Sequence, residues 1–141
     1  MRFWDSSALV ALHVEQTHTS ALRRAYDEDP LVLAWLLSDV EIRSALCRMG
    51  RDGRMSGEDL GEATTRVESF WKGVHVVTVV DAAKVRAKRL LEVHPLSAGD
   101  ALQLGAALAV AVDDPLEWEF VTLDARLATA ARREGFAVIP A

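Results

Sequence analysis

Apolar positions along the chain fall into two alternating patterns: short, dense apolar runs and longer stretches with helical spacing. The short runs predict strands at 2–4, 31–35, 74–80, 119–123 and 137–139. The longer stretches predict helices at 6–13, 17–27, 38–49, 81–93, 97–112 and 125–134, and one more that Ser56 opens and Gly73 ends. In that last helix Leu60, Ala63, Val67, Phe70 and Trp71 recur at i, i+3, i+7, i+10 and i+11, one face of a 3.6-residue turn. The 74–80 run is rich in β-branched residues, as a buried strand should be. Residues 97–112 are apolar almost all round, which marks the most buried helix. Gly50 and Gly53, Gly73, and Pro30, Pro95 and Pro115 punctuate these elements.

Strands separated by helices predict an α/β fold with a short parallel sheet covered on both faces. No linker, repeat or second composition interrupts residues 1–141, so a single domain is expected. The aromatics Trp4, Trp35, Phe70, Trp71, Trp118 and Phe120 sit within apolar runs and are expected in the core.

Composition narrows the function only slightly. The formal net charge is −5, which argues against a general nucleic-acid-binding surface but permits a cluster of carboxylates that collects cations. The single cysteine, Cys47, excludes an intrachain disulfide and reads as a small core residue. No signal peptide is evident at the N-terminus, and the longest apolar stretch, 101–112, contains Gln103 and is too short to span a bilayer. The expected location is the cytoplasm. His13, His18, His75 and His94 show no ligand spacing and read as surface or packing residues.

The chemistry is carried by carboxylates. Asp5 and Asp124 end predicted strands, Glu41 lies in the first turn of the helix after the second strand, and Asp100 lies in the first turn of the most buried helix. In an open parallel sheet the strand-to-helix junctions share the carboxyl edge, where ligand sites gather. Each acid also has a structural reading. Asp5 and Asp124 suit N-caps. Ser38 with Glu41, and Ser97 with Asp100, suit capping boxes. As a group they are harder to explain structurally, because two like charges about 4 Å apart repel by roughly 4 kcal/mol at an effective dielectric near 20. A divalent cation relieves that repulsion. An all-carboxylate set favours Mg²⁺ or Mn²⁺ over Zn²⁺ and suits phosphoryl chemistry. No Gly-rich phosphate loop and no Ser–His–Asp or Cys–His set is present.

The segments Phe3-Trp4-Asp5-Ser6-Ser7-Ala8-Leu9, Ser38-Asp39-Val40-Glu41-Ile42, Gly99-Asp100-Ala101-Leu102-Gln103-Leu104 and Val121-Thr122-Leu123-Asp124 resemble, in order and spacing, the four acidic motifs of PIN-domain proteins. Length and the helical hairpin after Glu41 resemble the VapC-type toxins of that family. The resemblance implies a three-layer α/β/α sandwich and Mg²⁺- or Mn²⁺-dependent endoribonuclease activity. It further implies a homodimer, an RNA substrate and a cognate VapB-type antitoxin. By motif position Asp5, Glu41, Asp100 and Asp124 would bind metal, and Thr122 would orient a metal-bound water, with Ser6 a second hydroxyl for that role. Arg43, Arg48, Arg51 and Arg54, on or beside the hairpin, are candidates for phosphate contacts, against a reading as a solvated basic face. The alternative function is a non-catalytic PIN-like scaffold that binds protein partners. A receiver-type phosphoaspartate is disfavoured, since Ser7 stands where a second aspartate would be needed.

Overall fold

A computed structural model describes residues 1–140. Five strands, β1 (Arg2–Trp4), β2 (Leu33–Trp35), β3 (His75–Val77), β4 (Glu119–Val121) and β5 (Ala137–Ile139), form one sheet in the order β3-β2-β1-β4-β5. Every neighbouring pair is parallel. Seven helices connect them: α1 (Ser6–His13), α2 (Thr19–Glu28), α3 (Ser38–Arg51), α4 (Gly57–Trp71), α5 (Val80–Val93), α6 (Ala98–Val110) and α7 (Ala125–Arg133).

The two-residue period of each strand sorts its side chains between two cores. Phe3, Leu33, Trp35, Val77 and Phe120 pack with α5, α6 and α7 on one face. Trp4, Ala34 and Val121 pack with α1 to α4 on the other. The result is the expected three-layer α/β/α sandwich. Trp4, Trp35 and Phe120 are buried, and Phe70, Trp71 and Trp118 pack partly buried against the cores.

Every predicted element is present, but the strands are shorter than their apolar runs. Residues 31–32 and 78–79 lie outside β2 and β3, and α5 begins one residue earlier than its pattern suggested. The chain reaches β2 and β3 on one side of β1, then returns to add β4 and β5 on the other. Beyond the carboxyl ends of β1 and β4 the following helices diverge, α1 to one layer and α7 to the other. Such a switch point leaves a crevice at that edge. Among the described residues no helix is long and apolar enough to cross a membrane.

Two sequence expectations need correction here. Leu37, not Ser38, holds the N-cap position of α3 and makes no side-chain cap. Ser38 is instead turned inward, fully buried, and accepts a hydrogen bond from Gln103 Nε2 at 2.8 Å. Cys47 is half-buried rather than in the core, because it lines an open cleft on α3 with Asp39, Val40, Arg43 and Ser44.

A candidate active site at the carboxyl edge

Asp5 is both the N-cap of α1 and the floor of the crevice. Its Oδ1 accepts from the Ala8 amide at 3.1 Å and from the Ser7 hydroxyl at 2.8 Å, and its Oδ2 accepts from the Thr122 hydroxyl at 3.0 Å. The Asp5 amide donates to the Val121 carbonyl of β4, which fixes the junctions of β1 and β4 side by side. Asp5 is only 2% exposed, and burial pushes its carboxyl up to about 7 against the opposing pull of those three donors. The charge of Asp100 adds to the rise.

Asp124 caps α7 by accepting from the Leu127 amide at 2.8 Å, and its own amide donates to Thr122 Oγ1. Thr122 thus links the two capping aspartates through one hydroxyl. Ser7 completes the set: its Oγ accepts from the Leu123 amide at 3.0 Å while donating to Asp5.

Glu41 and Asp100 come from the opposite wall. Ser97 caps α6 by accepting from the Asp100 amide, which leaves the half-buried Asp100 carboxylate at the mouth of the crevice. Gln103, one turn further on and fully buried, donates to Glu41 Oε1 at 2.7 Å. A side chain at Gly99 would stand 3.4 Å from Glu41 Oε2, so the start of α6 is laid directly against that carboxylate. Burial raises the Glu41 carboxyl, Gln103 opposes the rise and Asp100 adds to it. Burial, then the charge of Asp124, likewise raises Asp100.

Asp100 therefore raises Asp5 and Glu41 and is itself raised by Asp124. Asp100 thus couples to each of the other three predicted acids, yet among the described residues no three carboxylate, histidine or cysteine side chains are arranged to hold a metal ion. An open arrangement suits Mg²⁺, which takes one or two carboxylates and keeps several waters. The donors on this edge are all oxygens, the chemistry a hard divalent cation takes, and Asp100 is the acid coupled to each of its neighbours.

Beside the acids lies a cleft of about 380 Å³, lined by Ser6, Ser7, Glu41, Ser44, Arg48 and Leu123 among others. Of the four arginines proposed for RNA, Arg48 alone lines it. Arg43 is paired with Glu68 of α4 at 2.5 Å and Arg54 with Asp52 at 3.8 Å, while Arg51 is exposed at the far end of α3. Ser6 also lines the cleft but makes no hydrogen bond to Asp5, whose hydroxyl partners are Ser7 and Thr122. An N-cap carboxylate reaches the amides and side chains two and three residues on, and Ser6 is only one residue on. Gln103 likewise escaped the sequence reading as a site residue. Its signal was a lone amide in an apolar helix, three residues after Asp100.

The histidines lie outside this site. His18 and His75 are exposed, His13 packs edge-on against Phe70, and His94 pairs with Glu134.

Comparison with known proteins places these features in context. A family model described as PIN domain matches residues 2–133. Ribonuclease VapC45 of Mycobacterium tuberculosis (strain CDC 1551 / Oshkosh) is 31% identical over 139 residues, covering 99% of this chain and 94% of that protein. Ribonuclease VapC49 of strain ATCC 25618 / H37Rv matches to the same extent. Among solved structures, M. tuberculosis VapC20, a sarcin-ricin loop cleaving toxin, superposes with a TM-score of 0.62 at 20% identity, covering 92% of this chain and 95% of that one. FitAcB from Neisseria gonorrhoeae superposes with a TM-score of 0.66 at 13% identity, covering 98% and 96%. At these identities the two structures speak to the fold alone.

Proposed function

This chain belongs to the PIN-domain family, and we propose that it is a metal-dependent endoribonuclease, the toxin of a VapBC-type toxin–antitoxin module. The observation that carries this reading is the gathering of Asp5, Glu41, Asp100 and Asp124 from four separate junctions onto one edge, beside an open cleft.

A Mg²⁺ or Mn²⁺ ion held there would lower the pKa of a water and offset charge on the phosphodiester during in-line displacement. The protein's own part is positioning. Ser7, the Ala8 amide and Thr122 donate to Asp5 and fix both its oxygens. Gln103 fixes Glu41 through one oxygen. Asp100, whose side chain is the least tied of the four, is free to adjust as the ion and a scissile phosphate enter. Arg48, on the wall of the adjoining cleft, offers a positive charge to a neighbouring phosphate.

Residues 1–141 act as one domain in this scheme, in the cytoplasm, against an RNA substrate and under the control of a VapB-type antitoxin. A homodimer is favoured by apolar side chains left outside: Leu36, Leu37 and Val40 after β2, and Val79 and Val80 after β3, are all exposed. The Leu36 amide donates to the Val77 carbonyl, tying those two junctions together.

The test is cleavage of RNA by the purified protein with Mg²⁺ or Mn²⁺, with EDTA, and after Asp100→Asn. Cleavage that needs the ion and disappears in Asp100→Asn is expected. A protein that binds its antitoxin but cuts no RNA under any ion condition would be a scaffold, not an enzyme.

A further inference from the structure

A second cleft runs along α7, the helix that Asp124 caps. Its volume is about 290 Å³, and it is lined by His94 and Pro95 from the α5–α6 connection and by Ala125, Arg126, Thr129 and Arg133 from α7. Chain connectivity places it. Leu123 lines the first cleft and Ala125 the second, so Asp124 stands on the ridge between them. His94 and Pro95 immediately precede the segment that caps α6, whose first turn carries Asp100. Each cleft thus has a lining residue next to Asp124 in the chain.

Their charges match. Arg126 and Arg133 are seven residues apart on α7, hence on one face of it, and both are exposed. Among the described residues neither makes an ion pair, whereas Arg2, Arg23, Arg43, Arg54, Arg86 and Arg89 each have a carboxylate partner. In a chain of net charge −5, this puts two unpaired positive charges on the wall of one cleft. Glu134, next to Arg133, is already held by Arg89 and by His94 Nε2 at 3.0 Å, and Asp124, two residues before Arg126, accepts from the Leu127 amide. His94 itself is buried, lines the cleft, and has no partner for Nδ1.

We propose that this second cleft binds a backbone phosphate of the RNA, with Arg126 and Arg133 as its charged contacts, so that the strand runs from the Arg48 cleft across the acids into it. The proposal rests on the ribonuclease reading. A guanidinium fork matches the geometry of a phosphate. Cationic contacts on both sides of an acidic centre also solve a problem the centre creates, since a polyanion must be drawn over four carboxylates before it can be cut.

The test is binding of a fluorescently labelled single-stranded RNA of about 12 nucleotides to the Asp100→Asn protein across a series of salt concentrations. Each phosphate contact on a single strand contributes about 0.7 to the slope of log K against log salt. Replacing both residues (Arg126→Gln with Arg133→Gln) is expected to reduce that slope by about 1.4, and to weaken binding at low salt by about tenfold or more. The Arg126→Lys with Arg133→Lys protein keeps most of the slope, which separates loss of charge from loss of fold. An unchanged slope and affinity in the glutamine variant overturns the proposal while leaving the ribonuclease reading intact. So does a glutamine variant that still binds RNA normally but loses its antitoxin, which would make the cleft a seat for an acidic peptide. If the wild-type protein neither binds nor cuts RNA, the ribonuclease reading fails, and this proposal with it.

Discussion

Asp5 shows how one residue can be legible in a sequence and its neighbours not. Its place at the end of an apolar run, ahead of a helix, marked it as a cap and as a candidate ligand, and it is a cap. Thr122 was legible only through the resemblance to PIN-domain proteins, by its place two residues before Asp124, and its hydroxyl does contact Asp5. Ser7 and Gln103 were not, because their roles depend on which strands lie side by side and on how α6 meets α3, and neither is written in local spacing. The environment of Asp5 makes a sharp prediction. A carboxyl held near 7 in the folded protein, against an ordinary value of 3.8, favours folding only while it is protonated. The protein without metal therefore loses stability as pH rises from about 4 to about 7, and remains at its lowest above that. At pH 8 in EDTA, Asp5→Asn should be more stable than wild type by about 2 kcal/mol, less than the full shift implies because asparagine accepts fewer hydrogen bonds. The gap should close at pH 4, as denaturant titrations at the two pH values would show; an equal gap at both would rule out burial of Asp5 as its source. The hydroxyls that oppose this rise give a second prediction. Thr122→Val removes one donor to Asp5, so cleavage should fall by about 10- to 100-fold and its acidic limb should move to higher pH, with Thr122→Ser restoring both. A flat loss with an unmoved pH profile would mean that Thr122 acts by packing alone.

At the scale of elements, the alternation of apolar runs located all five strands and seven helices, with ends displaced by a few residues. β2 begins two residues later than its apolar run, and Leu36 and Leu37 leave it only to start α3 at once. Asp100 is the instructive case. No strand precedes α6, since α5 leads directly into it, so the rule that gathers strand-to-helix junctions does not place this acid. What places it is the packing of α6 against α5, where Gly105 lets two backbones touch. A Cβ at that position would lie 2.6 Å from the Ala83 carbonyl oxygen and 3.1 Å from the Ala87 amide, both on the backbone of α5, where nothing can rotate aside. Gly105→Ala must separate the helices. A loss of about 2–3 kcal/mol in folding stability is expected, despite the better helix propensity of alanine. Cleavage at a temperature where the variant remains folded should also fall, since moving α6 moves Asp100 and Gln103 together. A variant as stable as wild type would show that the α5–α6 contact is looser than this geometry.

At the scale of the whole molecule, the layered class was legible and the strand order was not. Period-two alternation tells which face a residue takes, but it is silent on whether β4 returns beside β1 or extends the sheet beyond β3. That choice creates the switch point between Asp5 and Asp124, and with it the site. The charge balance has a similar two-part character. A net charge of −5 suggests a molecule that repels RNA, but with all four edge acids ionised they supply four of those charges, leaving the remainder of the chain at −1. The bare molecule therefore repels a polyanion chiefly at the point where it must bind, and the arginines beside that point are outweighed until the acids are neutralised. Neutralising two of them by substitution should do for binding what a divalent ion does. In EDTA, the Asp100→Asn with Asp124→Asn protein should bind single-stranded RNA about tenfold more tightly than wild type, equivalent to roughly 1.4 kcal/mol. Mg²⁺ added at matched ionic strength should then change the variant's affinity little, and fluorescence anisotropy would read both effects. Equal affinity of the two proteins in EDTA would mean that RNA is held away from this edge, at a surface whose charge the acids do not govern.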